Sequence, residues 1–93
     1  MLFTLYDFNT PKDKELFRKK VSNFILSCTE YKYEMMEDDN RISVTFYQLQ
    51  MGYSALQLIH TLDTIIDNND IACCLVQFCY TDPLISKRYD KRI

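Results

Sequence analysis

Residues 71–80 read Ile71-Ala72-Cys73-Cys74-Leu75-Val76-Gln77-Phe78-Cys79-Tyr80, a strand-length segment whose single polar member is Gln77. Asp67-Asn68-Asn69-Asp70 precedes it and Pro83 stops it. A strand half-covered by helices needs apolar residues only at alternate positions, because successive side chains point to opposite faces. With Gln77 marking the outer face, Ala72, Cys74, Val76 and Phe78 are expected to point into the core and Ile71, Cys73, Leu75 and Cys79 outward. What lies beside this strand decides both the fold and the surface it presents.

Working outward, Ala55, Leu58, Ile59, Leu62, Ile65 and Ile66 recur at helical spacing ahead of the strand. Gly52 is expected to break the preceding strand and Ser54 to cap this helix. Further upstream, Ile42, Val44 and Phe46 alternate with Ser43, Thr45 and Tyr47, and Tyr31, Tyr33 and Met35 alternate with Glu30, Lys32 and Glu34. Asp38-Asp39-Asn40 supplies turn chemistry between them, so the pair reads as an antiparallel hairpin with a polar second face.

Leu2 to Phe8 forms a short aromatic strand that ends at Asn9-Thr10-Pro11. Thr10 is placed to cap, Pro11 takes the first helical position, and Asp13 completes a capping-box spacing. Phe17, Val21, Phe24, Ile25 and Cys28 then form the apolar stripe of a helix over about 11–27, opposite Lys12, Lys14, Arg18, Lys19 and Asn23. The order βαββαβ specifies an α+β, ferredoxin-like fold: a four-stranded antiparallel sheet in spatial order 4-1-3-2 with two helices on one face. The fourth strand would then be a sheet edge. Residues 1–93 are expected to form one domain, with 84–93 a short helical turn or frayed tail.

A chain of 93 residues with 47 % hydrophobic and 14 % aromatic content has room for one core. No apolar run reaches the roughly 20 residues of a membrane helix, and MLFTLYDF lacks a basic leader and a small-residue cleavage site, so a cytoplasmic protein with reduced cysteines is expected. The net charge is −2, with a basic first helix and C-terminal segment flanking an acidic middle. Such a dipolar distribution bears on association more than on fold.

The outward residues of the fourth strand carry the functional expectation. Ile71, Cys73, Leu75, Gln77 and Cys79, with Thr4 and Tyr6 on the first strand and Tyr47 on the third, would expose a contiguous apolar patch beside an unprotected strand edge. Three occupants fit it: Leu84, Ile85, Tyr89 and Ile93 folded back from the C-terminal segment, a second copy of the chain, or another protein. Glu34, Glu37, Asp38 and Asp39 form an acidic knob suited to a basic target surface. A non-enzymatic protein-binding or regulatory module is expected, needing no cofactor or metal. Residue usage rich in Asn, Lys, Ile and Tyr resembles that of AT-rich genomes and their mobile elements, which implies an inhibitor of a larger protein.

Nucleic-acid binding is the second class, through Lys12, Lys19 and Lys20 of the first helix and Lys87, Arg88, Lys91 and Arg92 of the C-terminal segment. The acidic hairpin opposes it, and no glycine-aromatic signature of RNA-recognition strands is present. Small-ligand regulation between paired subunits is a third. A single glycine cannot build a phosphate-cradling loop. His60, Asp63 and Asp67 share a helix at unspecific spacing, and Cys73 and Cys79 stand too far apart on a strand for a metal knuckle. Tyr6-Asp7, at a strand end, resembles the strand-end aspartate of Cas2-like nucleases. That resemblance implies a metal-dependent nuclease, but it covers the dipeptide alone, and the following hairpin and second helix depart from the family.

Overall fold

A computed structural model of the chain describes residues 1–27, 32–47, 52–82 and 87–92, with the backbone alone for 52–54, 82 and 87–92. Its elements are β1 (Leu2–Phe8), α1 (Pro11–Ser27), β2 (Lys32–Glu37), β3 (Arg41–Tyr47), α2 (Gly52–Asn68), β4 (Cys73–Asp82) and β5 (Lys87–Arg92). The sheet runs β2-β3-β1-β4-β5, antiparallel throughout. Its first four strands and two helices form the expected ferredoxin-like βαββαβ fold. The fifth strand does not belong to the expected plan.

Local chemistry sets the boundaries. The Asp13 amide donates to Thr10 Oγ1 at 3.1 Å and Thr10 Oγ1 donates to Asp13 Oδ2 at 2.7 Å, so the capping box that starts α1 is formed. At the end of α2, Asp70 adopts φ 51° and the Ile71 amide donates to Ile66 O at 3.0 Å, the long return bond of a Schellman-type stop. Helix α2 begins at Gly52, two residues before the expected cap at Ser54. Cys28 and residues 29–31 lie outside the described residues, as do Leu84, Ile85 and Ile93.

The core lies between the sheet and both helices. β1 contributes Leu2, Thr4, Tyr6 and Phe8, β3 contributes Ile42, Val44 and Phe46, and the helices contribute Phe17, Val21, Ile25, Ala55, Leu58 and Leu62, all at most 5 % exposed. Tyr6, Phe8 and Phe17 stack as a tilted aromatic trio, with Phe17 about 5 Å from each of the other two rings. Thr4, buried at 1 %, is satisfied by donating from Oγ1 to Val44 O at 3.2 Å.

The opening segment departs from simple alternation. Leu5 pairs with Gln77 but Tyr6 pairs with Leu75, so Val76 has no partner on β1 and forms a β-bulge. Beyond it the phase of β4 inverts. Phe78 and Tyr80 pair with Thr4 and Leu2 on the helix-covered side, and on the other side of the bulge so do Leu75 with Tyr6 and Cys73 with Phe8. Ile71 is buried at 6 %, and Cys73 and Leu75 pack against the core. The strand is apolar at successive positions because one extra residue lets both halves feed the same core.

Two further expectations are corrected. Thr4 and Tyr6 point under the helices, because the buried positions of β1 are the even-numbered ones. And β4 is not an edge: residues 87–92, expected as a helical turn or frayed tail, pair along it from Gln77–Arg92 to Asp82–Lys87. The segment runs beside β4 rather than across the sheet face, with Tyr89 in register with Tyr80. The ladder thus uses the N–H and C=O groups that an edge would leave free.

Candidate interaction surface

Cross-strand rows define the helix-free face. Met36, Ser43, Leu5 and Gln77 form one row across β2, β3, β1 and β4, and Glu34, Thr45, Phe3 and Cys79 form the next. Arg41, Asp7 and Cys74 make a third row at one end, and Lys32 and Tyr47 pair at the other. Met36 is 61 % exposed and Tyr47 36 %, while Phe3 and Leu5 are half-buried. Leu5, Met36, Glu37, Asp38, Arg41 and Ser43 enclose a shallow hollow of about 340 Å³. A second hollow of about 270 Å³ adjoins it, lined by Asp7, Asp38, Asp39, Asn40 and Arg41.

Of the expected patch, only part stands on this face. Tyr47 and Gln77 do, Cys79 belongs to its rows but is 5 % exposed, and Tyr6, Ile71, Cys73 and Leu75 serve the core. The apolar side chains that replace them are Phe3, Leu5 and Met36. Met36 was legible in one respect: adjacent Met35-Met36 in an alternating strand obliges one of the two to face away from the helices.

The acidic knob is fixed rather than loose. Lys14 Nζ donates to the backbone carbonyls of Asp38 and Asp39 at 2.7 and 3.2 Å and lies 3.8 Å from Glu37 Oε1, tying α1 to the hairpin turn. Arg18 Nε stands 3.9 Å from the same Glu37 oxygen, and its guanidinium also binds Glu15. That bond holds the Glu15 carboxyl below its ordinary range. Asp38 Oδ1 accepts the Asp39 amide at 2.8 Å. Tyr47 Oη donates to Glu34 Oε2 at 2.8 Å, and this hydrogen bond raises the tyrosine pKa. Glu34 therefore belongs to the helix-free face, Glu37 to the helix-bearing side at the end of β2, and Asp38 and Asp39 to the turn.

The basic residues do not converge. Lys12, Lys19 and Lys20 are exposed on α1, which packs against β1 and β3, whereas Lys87, Arg88, Lys91 and Arg92 lie on β5 beyond β4. Asp7 is held by Arg41, Nε to Oδ2 3.9 Å, an ion pair on the helix-free face. His60, Asp63 and Asp67 are exposed along α2. Among the described residues no group of three His, Cys, Asp or Glu is arranged to hold a metal ion. Burial pushes the Cys73 thiol up to about 11, with smaller contributions from Cys74, Asp13 and Asp63, which makes it a poor nucleophile at neutral pH. Burial likewise raises the Tyr6 phenol far above its ordinary value.

Among the described residues no helix is long and apolar enough to cross a membrane. Compared with protein-family models, with curated proteins and with solved structures, the chain matches none.

Proposed function

We propose that this chain is a non-enzymatic protein-binding module that docks a larger protein on the helix-free face of its sheet and regulates or inhibits it. The observation that carries the reading is the exposure of Met36 and Tyr47 beside half-buried Leu5 and Phe3, in a face whose margin holds Glu37, Asp38 and Asp39 rigidly against α1. An apolar centre with a charged rim is the anatomy of a transient interface: the centre supplies affinity and the rim sets orientation and encounter rate. A basic surface with a protruding aliphatic or aromatic side chain is the matching partner. Free Cys73, Cys74 and Cys79 suit a reducing, cytoplasmic setting.

The experiment compares proteins captured from the native host by the wild-type chain and by Met36→Lys, a substitution at an exposed position that leaves the core untouched. A partner retained by the wild type and lost by the variant, at an unchanged melting temperature, supports the reading. Identical captures by both overturn it. Nucleic-acid binding is the second reading, favoured by the exposure of Lys12, Lys19 and Lys20 on α1. Retardation of DNA or RNA that fades as salt rises, and is lost when those three lysines are replaced, would select it.

A further inference from the structure

The sheet has two outer strands, β2 and β5, and they differ in how they treat their unpaired edge. Edge strands are normally blunted by charge, above all lysine. β5 follows that rule, with Lys87, Arg88, Lys91 and Arg92 among its six residues. Any antiparallel self-pairing centred on Tyr89 sets Lys87 opposite Lys91, and one centred on Asp90 sets Arg88 opposite Arg92, so β5 repels a copy of itself. β2 follows it only in part: three of its six residues are charged, Lys32, Glu34 and Glu37, and both glutamates are engaged within the chain. Tyr33 is 41 % exposed on the helix-bearing side and Met36 61 % exposed on the other, so apolar surface flanks this edge on both sides of the sheet.

We propose that two copies of the chain associate through β2, antiparallel, across a two-fold axis at Met35, to form one continuous sheet. Charge leaves two registers, centred on Tyr33 or on Met35. The first sets Lys32 opposite Glu34, an acid that Tyr47 already engages, and carries the ladder beyond Lys32, so the second is selected. A two-fold normal to the sheet keeps each side chain on its own side and lets residue i face residue j only when their sum is even. Centring on Met35 places Met35 opposite itself, Glu34 opposite Met36, Tyr33 opposite Glu37, and Lys32 opposite Asp38, each of the last three pairs occurring twice. Centring on Glu34 would set two carboxylates face to face. Centring on Met36 would set Glu34 opposite Asp38 twice.

The remaining charges are already met within each copy, Glu34 by Tyr47 and Glu37 by Lys14 and Arg18. Asp38 forms the closing rung of the hairpin with Arg41, which holds its backbone in line with β2. A ladder of this length buries less than the ~800 Å² per partner of a standard interface, so the dimer forms at micromolar rather than nanomolar concentration. The surface is distinct from the helix-free face, although β2 borders both.

Sedimentation of the wild-type chain from low to high micromolar concentration tests the pairing, and the Met35→Cys variant tests the register. The expected result is a concentration-dependent shift from the 11.1 kDa monomer to twice that mass. On a Cys74→Ser background, which removes the exposed thiol, mild oxidation of Met35→Cys should give mostly disulfide-linked dimer, whereas the background alone and Lys32→Cys give only traces, because two copies of residue 32 would lie about 20 Å apart. Met36→Lys, which sets an ammonium opposite Glu34, should keep the dimer, so loss of a partner on the sheet face is read separately from loss of self-pairing. A wild-type chain that stays monomeric at 200 µM, or equal cross-linking of Met35→Cys and Lys32→Cys, overturns the proposal.

Discussion

Tyr6 of β1 stands directly opposite Leu75 of β4, and both lie on the side of the sheet that the helices cover. A β4 that alternated without interruption from Gln77 would put Leu75 on the far side. The bulge at Val76 reverses that, and the reversal changes what a substitution at Leu75 does. Leu75→Lys should destabilise the domain by about 2–4 kcal/mol, by removing apolar contact and forcing a charge towards Tyr6. Urea denaturation checks it. A variant as stable as wild type would mean that β4 runs without the bulge.

Removal of β5 should convert a covered strand into a sticky one. A chain ending at Asp82 leaves β4 with an unpaired ladder over a segment that contains no lysine and no proline from Cys73 to Asp82. Light scattering should show aggregates of the shortened chain at concentrations where the full chain scatters little. Equal scattering from the two would show that β5 does not protect the edge.

Asp63 offers a pH test. Burial, then the neighbouring charge of Asp67, raises its pKa, with His60 opposing. The folded state therefore binds this proton more tightly than the unfolded chain, so the contribution is favourable in acid and is lost as pH rises through the folded value. Asp63→Asn should raise the melting temperature at neutral pH by no more than roughly 2–4 °C, as expected for a partly exposed site in a small domain. The gain should vanish below about pH 4, where the wild-type carboxyl is also protonated. A gain that stays constant from pH 4 to 8 would place its origin elsewhere.

The adjacent thiols Cys73 and Cys74 should react unequally. Cys74 is exposed on the helix-free face, whereas burial holds Cys73 almost wholly protonated and Cys79 is 5 % exposed. Brief iodoacetamide treatment at pH 8 should alkylate Cys74 well before the other two, as fragment masses would resolve. Equal labelling of Cys73 and Cys74 would contradict the inward placement of Cys73.

Much of the fold could be read from residue patterns, because strong local signals agreed with one another. Thr10, Pro11 and Asp13 announced the start of α1, and the alternation of Ile42, Val44 and Phe46 gave both the existence and the buried face of β3. The surface was harder to read. A β-bulge leaves no mark in a segment where both residue types on either side of it are apolar, so Gln77 fixed the phase of only half of β4. β5 was hidden for the opposite reason, since Lys87-Arg88-Tyr89-Asp90-Lys91-Arg92 has the charge of a solvated tail and is held in place by pairing with a strand rather than by its own propensity. Tyr6 is hard to place for a separate reason: it shares its side of the uninterrupted β1 with polar Thr4, which is buried because its hydroxyl donates to Val44 O, and Met36 is masked because the outer face of the hairpin reads as polar.

The central position of β1 also dictates when the molecule can be finished. Leu2 is synthesised before both of its partners, Phe46 on one side and Tyr80 on the other. Tyr6 and Phe8 can meet Phe17 of α1 early but gain their β4 partners Leu75 and Cys73 only late. The sheet therefore closes through contacts distant in sequence, which slows folding.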